Sequence, residues 1–167
     1  MRGFSCISLH NPKTPENVGG VLRAAFAYGV SQVNIAGNRT CWEWVKHPTN
    51  TIKANRHIPI FRTAGALDYV PGDTQIVVVD LVDEAAPLMR FRHPERALYV
   101  FGPEDGTVPR EIIRKAQHKV YVPTRTCMNL AATVNVVLYD RLSKRGVDFP
   151  AYSHTGQNYR RNGEAAR

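Results

Sequence analysis

The chain has 167 residues, 43% of them hydrophobic, which is enough for one domain with a real core and too apolar for a disordered chain. No apolar run approaches the ~18 residues of a membrane span, the opening MRGFSCISLH has no secretory h-region, and the cysteines (Cys6, Cys41, Cys127) are odd in number and widely spaced, so membrane and disulfide-scaffold classes are excluded and the cytoplasm is expected. The net charge of +8 points to a polyanionic partner, most simply nucleic acid.

Half of that excess sits at the end: residues 141–167 hold six Lys/Arg against two acids. A basic tail that only aids solubility is the alternative. No CxxC, HExxH or paired-His spacing occurs, so no metal is expected.

In chain order, residues 4–9 (FSCISL) read as a strand. Residues 18–28 carry Val18, Val21, Leu22, Ala25 and Phe26 at helical spacing, with Asn17 as N-cap and Gly29 as the stop. Residues 32–35 are a short strand. Residues 38–57, with Trp42, Trp44, Lys46, Lys53 and Arg56, read as irregular structure or a short helix. Residues 58–62 read as a strand and 65–70 as a short helix ended by Pro71-Gly72. The continuous apolar run at 75–80 (QIVVVD) is typical of a parallel sheet. Strands follow at 98–101 and 119–122, and helices at 109–116 and 129–144. The alternation predicts an α/β fold with a mostly parallel sheet flanked by helices. One domain is expected over residues 1–150, with a loose basic tail over 151–167.

Two turns follow strands in the position where open α/β sheets bind ligands. They contain no GxGxxG, P-loop or GxSxG elbow. In FGPEDG (101–106), Gly102 allows close backbone approach, Gly106 permits a tight turn and Glu104 puts a carboxylate at the mouth. A plain strand–helix connection is the alternative. In PTRTCMNL (123–130), backbone N–H groups could hold an anion or an adenine edge, or Asn129 could simply cap its helix. Arg23, beside Leu22, Ala24 and Ala25, reads as half sunk in an apolar helix and in need of an anionic partner, either a phosphate or an internal carboxylate.

Together these segments resemble the SPOUT-class RNA methyltransferases, in particular the TrmH-like (SpoU) ribose 2′-O-methyltransferases. The first motif reads here as Asn17, Arg23, Ala24 and Gly29. The second is Gly102-Pro103-Glu104-Asp105-Gly106, and the third is Val122-Pro123 followed by Cys127-Met128-Asn129 and a long helix. The resemblance spans residues 4–145. It implies a deep C-terminal trefoil knot that holds S-adenosylmethionine, no metal, and a homodimer whose sites are completed near the partner's first motif. By position it implies Gly102, Val122 and Met128 as cofactor-binding residues, with Cys127, Gly106 and Leu81 beside them. It implies Arg23, Asn17, Glu104 and Asn129 as the catalytic set, with Arg23 as a phosphate and ribose clamp that Glu104 and Asn129 brace.

Two departures stand out: Cys127 replaces the usual Ser of the third motif, and the loop 123–127 is shorter than in many relatives. The chain is expected to lack the RNA-binding extension that precedes the first strand in many relatives. RNA grip is then expected from Trp42 and Trp44, unless these pack in the core or a dimer, and from Arg160 and Arg161. The implied activity is methylation of tRNA or rRNA. The alternatives are a non-catalytic RNA-binding protein on the same fold and a base-methylating enzyme of the same class.

Overall fold

A computed structural model describes residues 3–39 and 42–145; Cys41, the Trp42 side chain and the tail with Arg160 and Arg161 lie outside the described residues. Seven strands form one sheet: β1 Phe4–His10, β2 Gln32–Ala36, β3 Ile60–Thr63, β4 Gln75–Val79, β5 Ala86–Pro87, β6 Arg96–Phe101 and β7 His118–Tyr121. Their order is β3-β2-β1-β6-β4-β7-β5, and every described pairing is parallel. All carboxyl ends therefore lie along one edge of the sheet.

Helices cover both faces, as the near-continuous apolar strands require. Helix α1, Pro15–Ala27, and helix α3, Leu130–Arg145, pack against each other and against Ile7, Leu9, Val33, Val77, Val79 and Tyr99. Helix α2, Arg110–Lys115, covers Cys6, Val78, Leu98 and Val100 on the opposite face. Fully burying one such aliphatic side chain stabilises the fold by about 1.5–3 kcal/mol.

Helix α1 stops where Gly29, at φ +67°, lets the Val30 amide reach Ala25 O and the Gly29 amide reach Phe26 O, a Schellman ending. Its start differs from expectation. The helix begins at Pro15, so Asn17 lies inside the first turn and does not cap it. Residues 65–70 also form turns and not a helix. The Asp68 carboxylate accepts the Gly65 amide at 2.8 Å, and Tyr69 sits at φ +54°, a conformation no helix continues through. Residues 38–57 contain two 3-10 turns, Trp42–Lys46 and Ala54–Arg56, and Trp44 is partly buried against the core.

The far end of α3 is tied down by charge. Arg141 is buried, and its guanidinium donates to Phe4 O, Pro94 O, Glu95 O and the Tyr99 hydroxyl. Lys144 Nζ donates to Leu88 O, Met89 O and Phe91 O and pairs with Asp140. Four acceptors satisfy the Arg141 guanidinium, which is what a buried charge demands.

Candidate active site

Val79, Phe101 and Val120 stand in register where β4, β6 and β7 end. Just beyond them the chain opens a cavity of about 530 Å³, in the range of small-molecule sites. Two turns from distant parts of the sequence form its walls, and the first turn of α1 closes its mouth.

One wall is the turn after β6. A Cβ on Gly102 would lie 3.1 Å from both Asp80 Oδ2 and the Val108 nitrogen, so only glycine leaves those atoms undisturbed. They hydrogen-bond each other: Val108 N–H donates to Asp80 Oδ2 at 2.8 Å, while Leu81 N–H donates to Asp80 Oδ1 at 2.8 Å. Asp80 thus ties the end of β4 to the segment between β6 and α2. It was not picked out in the sequence; the available signal is a carboxylate closing the apolar run QIVVVD.

The opposite wall is the segment after β7 with Val122, Cys127 and Met128. Cys127 is a free, exposed thiol here. Gly102 and Gly106 line the first wall, and Leu81, 69% exposed, stands at the rim.

The mouth holds a relay of polar side chains. Asn129 Oδ1 accepts the amides of Ala131 and Ala132 at 2.9 and 3.2 Å, so it does cap α3. Its Nδ2 donates to Asn17 Oδ1 at 2.7 Å, and Asn17 Nδ2 donates to Glu104 Oε1. Glu104 also accepts the Lys13 amide at 2.8 Å and the Thr14 hydroxyl at 3.5 Å. The two readings of Asn129 are therefore not exclusive: one side of the amide caps the helix and the other enters the site. The relay ties three motifs, separated by up to 112 residues, into one rigid rim.

Beside it, Asp105 accepts from Arg39 at 2.7 Å and lies 3.7 Å from the Lys13 ammonium. The Arg39 hydrogen bond holds the Asp105 carboxyl below its usual range.

Nine of the ten residues singled out in the sequence thus line one cavity. Arg23 is the tenth and does not. It is exposed on α1, with no hydrogen bond or ion pair among the described residues. The half-buried setting expected for it is wrong: Val18, Val21, Leu22 and Ala25 form the core face, and residue 23 lies off that face. Glu104 and Asn129 accordingly brace Asn17 and not Arg23.

The cavity combines apolar walls (Val79, Phe101, Val122, Met128) with two carboxylates, Asp80 and Glu104, and the side-chain amides of Asn17 and Asn129. That mixture suits a small molecule with an aromatic face and a polar or cationic end.

Comparison with known proteins places this geometry. A family model described as the SpoU rRNA Methylase family matches residues 5–139. Among solved structures, an AdoMet-bound rRNA methyltransferase from Sinorhizobium meliloti superposes with a TM-score of 0.74 at 22% identity, covering 86% of this chain and 57% of its own. The A. aeolicus TrmH/SpoU tRNA modifying enzyme gives 0.73 at 18%, covering 87% and 77%. A structure described as giving insight into the 2-OH methylation of C/U34 on tRNA gives 0.69 at 21%, covering 85% and 96%. This chain therefore spans just over half the length of the first of these relatives and nearly all of the third. No curated protein sequence matches it. A family match over most of the chain, on a fold these structures share, leaves one conclusion: the chain belongs to the SpoU rRNA methylase family.

Proposed function

We propose that the protein is a cytoplasmic, S-adenosylmethionine-dependent RNA methyltransferase that modifies the ribose 2′-oxygen of tRNA or rRNA. The observation that carries this reading is the single cavity that gathers the second and third motifs with Asn17 of the first. Its size and mixed lining fit the cofactor, and Gly102 leaves the wall bare where a side chain would project. When bound, S-adenosylmethionine supplies an activated methyl group.

The chain's own residues do the rest. Gly102, Val122 and Met128 would hold the adenosine against an apolar wall. The Asn129–Asn17–Glu104 relay holds the rim in one geometry, and positioning of this kind can lower a barrier by ~7–11 kcal/mol. Arg23 steadies the phosphate and ribose and stabilises negative charge on the 2′-oxygen as its proton passes to solvent water. An arginine is effectively always protonated, which favours a clamp over a general base.

Arg23 lies outside the cavity of its own chain, so the reading includes a homodimer in which each protomer offers Arg23 to its partner. Supporting this, Phe26, Val136 and Tyr139 are exposed on the outer faces of α1 and α3, with Arg23 on the same side of α1 as Phe26. Such a patch on paired helices favours a symmetric partner. The reading also includes the trefoil knot. What supports it is that Arg141 and Lys144, near the end of α3, donate to the backbone carbonyls of Leu88, Met89, Phe91, Pro94 and Glu95 and hold that segment against the helix. Residues 1–150 are read as the catalytic unit and 151–167 as a basic tail for RNA.

The test is methyl transfer from labelled cofactor to pooled tRNA and rRNA, followed by nuclease digestion. A 2′-O-methylated nucleoside supports the reading. A labelled base, or no label with intact cofactor binding, sinks it in favour of base methylation or a non-catalytic RNA binder.

A further inference from the structure

We infer that the crevice at the carboxyl ends of β1, β2 and β3 binds a short single-stranded RNA segment beside the cofactor cavity; this rests on the RNA reading above. The strands register His10 with Ala36 and Ala36 with Thr63. These three side chains share one face, in a row across neighbouring strands. Ala36 is fully buried between them, while His10 and Thr63 line the crevice. Both neighbours carry a buried polar atom without a hydrogen-bond partner among the described residues: His10 Nδ1 and Thr63 Oγ1.

One pleat earlier the equivalent groups are satisfied. Ser8 Oγ donates to Ala66 O at 2.7 Å, and Asn34 Nδ2 donates to Asp68 O at 2.8 Å. The 64–70 loop serves that row and not the last one. Unpaired buried polar groups are rare enough in native proteins to need an explanation, and a ligand in the crevice supplies one. Thr63 is only 5% exposed, which makes its orphaned hydroxyl the sharper signal.

Two further features indicate which ligand. Arg62 lines the same crevice, is exposed, and makes no hydrogen bond or ion pair among the described residues. Phe61 shares the face of Thr63 and contacts Tyr69 with ring centroids 5.4 Å apart, and both rings are exposed. Tyr69 is held at φ +54°, with Gln32 donating to its carbonyl at 3.0 Å. A bulky residue in the left-handed region is a genuine outlier, and such strain clusters at functional sites. A free guanidinium, hydrogen-bonding groups and exposed rings are the combination that single-stranded nucleic acid uses. An acidic peptide would use the cation and leave the rings and the hydroxyl without a role.

The experiment is an NMR titration of the isotope-labelled full chain with pentauridylate, with penta-glutamate as comparison and S-adenosylhomocysteine titrated separately. Pentauridylate is expected to shift the amides of residues 37–38 and 63–64 saturably. Arg62→Ala should weaken its affinity by about fivefold and lower the salt slope by roughly one. Thr63→Val should weaken it by about threefold, and neither variant should alter S-adenosylhomocysteine affinity. Arg62 is exposed, so its variant keeps the test readable even if Thr63→Val folds poorly.

Shifts confined to the cofactor cavity, an equal response to penta-glutamate, or unchanged affinity in Arg62→Ala would each overturn the inference. If pentauridylate shifts the crevice while S-adenosylhomocysteine does not bind, the methyltransferase reading falls and the crevice stands. The converse result removes the crevice alone.

Discussion

Replacing Gly102 with alanine puts a methyl group 3.1 Å from Asp80 Oδ2 and from the Val108 nitrogen. That is closer than packed carbon tolerates without movement. The neighbours that must yield are the two ends of a 2.8 Å hydrogen bond joining the end of β4 to the turn after β6. Overpacking of this kind costs about 1–3 kcal/mol. Hydrogen bonds to charged groups contribute about 1.5–3 kcal/mol, and only part of this one is lost if it lengthens. A net loss near 2 kcal/mol is expected, or about 4–8 °C in Tm for a chain of this size. Because the same atoms form the cavity wall, S-adenosylhomocysteine affinity should fall by about tenfold, equivalent to about 1.4 kcal/mol. Urea denaturation and calorimetric titration read the two effects. A cycle with Asp80→Ala isolates the cause: if the methyl acts by displacing the Asp80 carboxylate, the double variant costs less than the sum of the singles. Wild-type stability and affinity in Gly102→Ala, or strict additivity with Asp80→Ala, would refute the reasoning.

Asn129→Ala removes a helix cap and the link to Asn17 together. It should cost about 1 kcal/mol in urea denaturation and lower turnover more than cofactor affinity. Arg23→Ala should abolish methyl transfer while leaving S-adenosylhomocysteine binding nearly intact; surviving activity in a single-turnover assay would remove Arg23 from the mechanism. Arg141→Leu leaves the carbonyls of Pro94, Glu95 and Phe4 and the Tyr99 hydroxyl without their donor, and should destabilise by about 3–5 kcal/mol in thermal melts. Acid should weaken the fold through His93, whose ring nitrogens meet the Tyr99 hydroxyl at 2.6 Å and Asp140 at 2.8 Å. Burial lowers its pKa below the ordinary 6.5, with Asp140 opposing. The unfolded chain then binds the proton more readily, so the stability is full above about pH 6.5 and is lost as pH falls through the folded value. The urea midpoint should drop between pH 7.5 and 5.5, and His93→Gln should narrow that drop.

The walls of the cavity were legible because their cues are local. Each apolar strand run ends directly in a Gly- or Pro-bearing turn, and chain alternation places those turns at one edge of a parallel sheet. What escaped is tertiary. Asn17 passes for a helix cap until Glu104 and Asn129, far away in sequence, claim both ends of its amide. Residues 65–70 carry helix-compatible apolar spacing, yet the Asp68 carboxylate bonds back to Gly65 and breaks it into turns. Strand β5 is two residues long and has no periodicity to read. The Arg141 cluster is invisible because three of its four acceptors are backbone carbonyls, which every residue has. The immediate neighbours of Arg23 suggest burial, but the helical period decides which face a residue occupies and leaves Arg23 off the core face.

The most direct test of the central claim is calorimetric titration of the purified full chain with S-adenosylhomocysteine. Saturable binding at one site per chain, weakened by Gly102→Val and left intact by Arg23→Ala, is the expected result. No binding at any accessible concentration, or binding indifferent to Gly102→Val, would contradict the account.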